Sequence, residues 1–138
     1  MKTAEEAYYE AITGKNIQKN ENIVLESKDY HFCYWFAKDV PGANIKAHEE
    51  VILENKNIHI CYTFATNISG ANIKDHEQVI LESKDLHYCY HFALDIKESN
   101  KEDLFKIVLE SGNQNYIDIF LQKVEFNKEK YINYLLFI

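Results

Sequence analysis

The sequence predicts an all-α protein, a right-stacked α-solenoid of about five helical hairpins built from ten short helices. Three observations lead to that class. A 28-residue unit recurs along the 138-residue chain. Each unit holds two segments whose apolar residues follow a 3.6-residue period. An Asn or Asp stands immediately before each segment, where a helix N-cap belongs.

The repeat is read first, because a missed period misassigns the whole fold. "IVLESKDYHFCYWFAKDVPGANIKAHEE" (23–50) overlays "VILENKNIHICYTFATNISGANIKDHEQ" (51–78) and "VILESKDLHYCYHFALDIKESNKEDLFK" (79–106) without a gap. Residues 107–138 form a capping repeat. Residues 1–22 begin the N-terminal cap: "AEEAYYEAI" is a diverged first helix, with Glu5 in the slot of Cys33, and "GKNIQKNEN" (14–22) matches "GANIKAHEE" (42–50). The whole chain therefore reads as one repeat domain, 1–138.

Within a unit, segment A runs from Tyr30 to Val40. Cys33, Phe36, Ala37 and Val40 fall at i, i+3, i+4 and i+7, one helical face. Segment B runs from Ile45 to Asn55, with Ile45, His48, Ile52 and Asn55 on one stripe flanked by Val51 and Leu53. Asn16, Asn44, Asn72 and Asn100 precede the B helices, and Asp29, Asn57, Asp85 and Asn113 precede the A helices. Gly112 replaces Lys28, Lys56 and Lys84 in the fourth copy, which predicts a left-handed residue closing each B helix. The final B helix is read in "EKYINYLLFI". Helices of about 11 residues are marginal alone in water, so each hairpin must stack on its neighbours.

At the level of architecture the chain resembles the α-solenoids of tetratricopeptide, Sel1-like and HEAT repeats. The 28-residue unit is shorter than theirs, and their signature residues are absent. The resemblance implies a protein-binding scaffold.

Composition narrows the function. The formal net charge is −7, and all 15 basic residues are Lys, so the side chain best suited to bidentate phosphate or guanine recognition is missing. No direct nucleic-acid partner is expected. No stretch approaches the ~20 apolar residues that span a membrane, and the start has no secretory pattern. Three Cys at repeat spacing suit a reducing, cytoplasmic setting better than a disulfide framework.

Each core repeat carries His-x-Cys: His31 with Cys33, His59 with Cys61, His87 with Cys89. Residues two apart lie about 200° around a helix and face opposite ways. The last copy puts Ile117 in the Cys slot, and the His48/His76 slot becomes Leu104 in the third copy and Ile132 in the last, so these are packing positions. No metal ligands, cofactor or catalytic residues are assigned. Tyr34, Tyr62 and Tyr90 are read as seam fillers with hydroxyls reaching water, and Ser27, Ser83 and Ser111 as helix-end structure.

The partner-binding candidates lie on the outer face of the A helices, at His31, Trp35, His59, Thr63, His87 and His91, and on a Glu row of the B helices, at Glu54, Glu82 and Glu110 with Glu26 in the first copy. Glu49 and Glu77 add charge near that row. The leading expectation is a non-enzymatic acidic scaffold that binds a basic protein, as an inhibitor, immunity or anti-defence protein would. A metal-binding or thiol-redox protein using His-x-Cys is the alternative. A self-assembling module is the third reading, with a homodimer through the C-terminal helix and Tyr134 and Phe137 in its contact.

Overall fold

The computed structural model describes residues 1–131 and is all-helical over that range. The chain divides into two compact units, Met1–Asn72 and Ile73–Ile138. The first unit contains α1 (Ala4–Ile12), α2 (Ile17–Ser27), α3 (Tyr30–Asp39), α4 (Ile45–Asn55) and α5 (Ile58–Asn67). There α1 pairs with α2 and α3 with α4, while α1, α3 and α5 form one layer and α2 and α4 the other. The second unit contains α6 (Ile73–Ser83), α7 (Leu86–Asp95), α8 (Lys101–Ser111), α9 (Gln114–Lys123) and a short 3₁₀ turn at Glu129–Tyr131. Here α7 and α9 form one layer and α6 and α8 the other. Each unit is thus a stack of antiparallel hairpins with an A layer and a B layer. Of the segment read as the tenth helix, the described part is that 3₁₀ turn; Tyr134 and Phe137 lie outside the described residues.

The A helices bury the stripe the period specifies. Cys33, Phe36, Ala37 and Val40 are buried, as are Cys61, Phe64, Ala65 and Ile68 in the next copy and Cys89, Phe92, Ala93 and Ile96 after it. The B stripe is narrower than the sequence suggests. His48, Val51 and Ile52 are buried, but Asn55 is exposed, because the helix ends there and its last turn stands clear of the core.

Caps hold most of the helix ends. The side chains of Asp29, Asn44, Asn57, Asp85, Asn100 and Asn113 each accept a backbone N–H of the first helical turn. Lys28, Lys56 and Lys84 close their B helices at φ 59°, 60° and 56°, and Gly112 does so at 71°. Gly112 is the residue type that this conformation prefers, and it marks the three Lys as strained equivalents. The hydroxyls of Ser27, Ser83 and Ser111 donate to the carbonyl three residues back at 2.6 Å and accept the N–H two residues on at 3.1 Å.

Two readings of the first hairpin are corrected. Asn16 is not a side-chain cap. It sits in the left-handed region at φ 47°, and its side-chain amide donates to Glu10 instead. Glu5 is exposed and does not fill the Cys33 slot; the buried face of α1 is Ala7, Tyr8 and Ala11. Both differences have one cause. Between the last buried residue of the A segment and the start of the B helix lie five residues in the first hairpin (12–16, after Ala11) and four in the next (41–44, after Val40), so the buried face of α1 lies one position earlier, and the longer path leaves Asn16 left-handed where Asn44 is not. Thr3, which the repeat comparison does not reach, caps α1 in a reciprocal box with Glu6.

Candidate functional site

The cysteines belong to the core. Cys33, Cys61 and Cys89 are fully buried, and their thiols point at the carbonyls of Val24, Ile52 and Ile80 at 3.8, 4.0 and 3.9 Å. Burial, the largest cause in each case, pushes all three thiols up to about 12. A reactive or metal-binding cysteine needs an accessible thiolate, and these environments disfavour it. The His of each His-x-Cys pair is on the other side: His31, His59 and His87 are exposed.

The B layer holds a polar device that the sequence does not reveal. Glu49 and Glu77 are not part of a solvated face; they are 6 % and 8 % exposed. Glu21 accepts the backbone N–H of Asn44 at 2.7 Å, Glu49 that of Asn72 at 2.7 Å, and Glu77 that of Asn100 at 2.6 Å. Glu21 and Glu77 therefore sit at the N-terminal ends of α4 and α8, where backbone N–H groups and the helix dipole favour negative charge. Burial nevertheless outweighs this at Glu77 and raises its pKa.

His48 joins the same device. Its Nε2 lies 3.0 Å from Glu21 Oε2, its ring stacks on Phe36 at 5.0 Å, and its Nδ1 is buried with no hydrogen-bond partner. Burial lowers its pKa, against the opposing pull of Glu21. The ring is thus neutral at pH 7, and the contact is a hydrogen bond from Nε2–H to a carboxylate. The one hint of this device in the sequence is the third copy, where Leu104 and Phe105 occupy the slots of His48 and Glu49.

The A layer carries the exposed candidates. Trp35 is 41 % exposed, yet its ring centroid stands 6.0 Å from that of Tyr8 and 5.5 Å from that of Phe32. Tyr8 is itself fixed by a hydrogen bond from its hydroxyl to Asp39 and is buried. Tyr9 and Ile12 of α1 are 54 % and 45 % exposed. The α1–α3 face therefore presents large apolar groups on a rigid aromatic base. His31 lies against Tyr30, ring centroids 4.5 Å apart. Thr63 is half-buried and its hydroxyl bonds back to the His59 carbonyl at 2.8 Å, which removes its donor from any partner. Tyr34 is buried, and its hydroxyl accepts from Asn67 at 3.0 Å rather than from water alone.

In the second unit, His87 and His91 come together on α7, ring centroids 4.3 Å apart. They line one side of a groove of about 310 Å³ with Tyr90; Asn115, Tyr116 and Ile119 of α9 line the other.

Glu54, Glu82 and Glu110 are exposed in the last turns of α4, α6 and α8. Glu82 accepts from Gln78 at 3.1 Å. No basic residue shares those last turns; Lys56 and Lys84 follow as the closing residues of α4 and α6.

Comparison with protein-family models, with curated proteins and with solved structures gives no match. Among the described residues no helix is long and apolar enough to cross a membrane.

Proposed function

We propose that this chain is a non-enzymatic protein-binding module that engages a basic protein surface through the exposed face of its A helices. The observation that carries the reading is Trp35. A half-exposed indole normally loses rotamer freedom on binding, but this one is already held by Tyr8 and Phe32. Aromatic anchors of this kind concentrate binding energy, and preorganisation lowers the entropic cost of association. Tyr9 and Ile12 extend the apolar area, and the net charge of −7 with the outward Glu row supplies long-range attraction for a cationic partner. An inhibitor, immunity or anti-defence protein that covers a basic enzyme would use this combination.

The test is retention of lysate proteins on the immobilised chain at low and high salt, with Trp35→Ala beside wild type. The reading expects basic proteins retained by wild type at low salt, released as salt rises, and lost in the variant. Retention that is indifferent to Trp35 would overturn it. Circular dichroism of Trp35→Ala separates lost binding from lost fold.

A further inference from the structure

One pair of side chains in the second unit stands apart from the core. His87 and His91 are i and i+4 on α7, so they share one helix face a single turn apart. Their ring centroids are 4.3 Å apart. Two imidazole nitrogens bound to one ion at 2.0–2.1 Å lie roughly 3 Å from each other, a separation these rings reach by side-chain rotation alone. One turn further on, Asp95 Oδ2 stands 3.7 Å from His91 Nδ1. At that distance the contact is electrostatic rather than a hydrogen bond, and the negative charge favours the Nδ1–H tautomer, which leaves Nε2 for a metal as in metal-ligating histidines.

The repeat supplies its own control. The same two slots hold His31 with Trp35 and His59 with Thr63, so this copy alone of the three core repeats puts two imidazoles together. The pair also lines a groove rather than open helix surface, faced by Asn115 and Tyr116.

We propose that His87 and His91 bind a borderline divalent transition-metal ion, Zn²⁺ or Cu²⁺, with Asp95 as the positioning residue for His91. Imidazole donors select these ions over Mg²⁺ and Ca²⁺, and Cu²⁺ binds more tightly than Zn²⁺. Among the described residues no group of three His, Cys, Asp or Glu comes together to hold an ion. The site is therefore open, with water or an incoming donor completing the shell. This inference is independent of the protein-binding reading.

Isothermal titration calorimetry of the full, chelator-stripped chain tests it, with ZnCl₂ and CuCl₂ at pH 7.5 and MgCl₂ as competitor. The expected result is one equivalent bound, unaffected by Mg²⁺. His87→Asn and His91→Asn should each weaken binding at least tenfold, and His59→Asn should leave it unchanged. Asp95→Asn should weaken it by roughly ten- to a hundredfold. Absence of binding, or binding that survives both His87→Asn and His91→Asn, would overturn the site. Loss of binding in His59→Asn would overturn the assignment to α7, and an unchanged Asp95→Asn would remove Asp95 from it.

Discussion

Replacing His48 by Leu, the residue that the third copy carries in the same slot, tests the polar device of the B layer. At pH 7 two effects oppose each other. The substitution deletes a hydrogen bond to the Glu21 carboxylate, a loss of about 1.5–3 kcal/mol, and it also removes a buried, unpartnered Nδ1 whose desolvation costs about 1–3 kcal/mol. Glu21 keeps the Asn44 N–H, so it is not stranded. The variant should stay within about 1 kcal/mol of wild type.

The pH dependence is where they part. Burial lowers the His48 pKa, so the unfolded chain binds a proton there before the folded one does. Stability from this residue is present above the ordinary imidazole value of about 6.5 and is lost as pH falls below it, by at most about 1.4 kcal/mol per pH unit. Urea denaturation at pH 7.5, 6.5 and 5.5 reads this directly. Between pH 6.5 and 5.5 wild type should lose up to about 1 kcal/mol more than His48→Leu. Parallel pH profiles for the two chains would refute a neutral buried imidazole.

Further outcomes follow from the same geometry. Lys84→Gly should raise stability by up to about 1 kcal/mol in thermal or urea melts, because φ 56° strains a Cβ-bearing residue. Gly112→Ala should lower it by a similar amount, since a Cβ there meets no atom within 4 Å and the cost is conformational alone. The three thiols should react with a thiol reagent at pH 8 only after the protein unfolds, because the folded thiols are buried and pushed up to about 12; rapid labelling of folded protein would contradict the core placement.

Much of the fold was legible because the repeats cross-check one another. Ile117 in the Cys33 slot identified a hydrophobic position, and Gly112 identified the left-handed closure that three Lys otherwise hide. Two things were not legible. Glu49 and Glu77 look like surface residues one at a time, and only their spatial relation to the N–H of Asn72 and Asn100, 23 residues on, makes them interior. The slide of α1 depends on one extra residue between its buried face and α2, which a gap-free comparison of diverged helices cannot register. In the candidate site the exposure of Trp35 followed from helix geometry, but its support by Tyr8 came from α1, whose register was misread. The His87–His91 pair was visible as spacing, whereas the Asp95 contact and the facing wall of α9 required the packed structure.

The central claim is that a preorganised aromatic face binds a basic partner. Salt-dependent retention of lysate proteins on wild-type chain and on Trp35→Ala tests it most directly. The account predicts that basic proteins are held at low salt by wild type alone, while the variant keeps its helical spectrum and loses no more than about 2 kcal/mol of stability. Equal retention by both chains, or retention that does not change with salt, would contradict it.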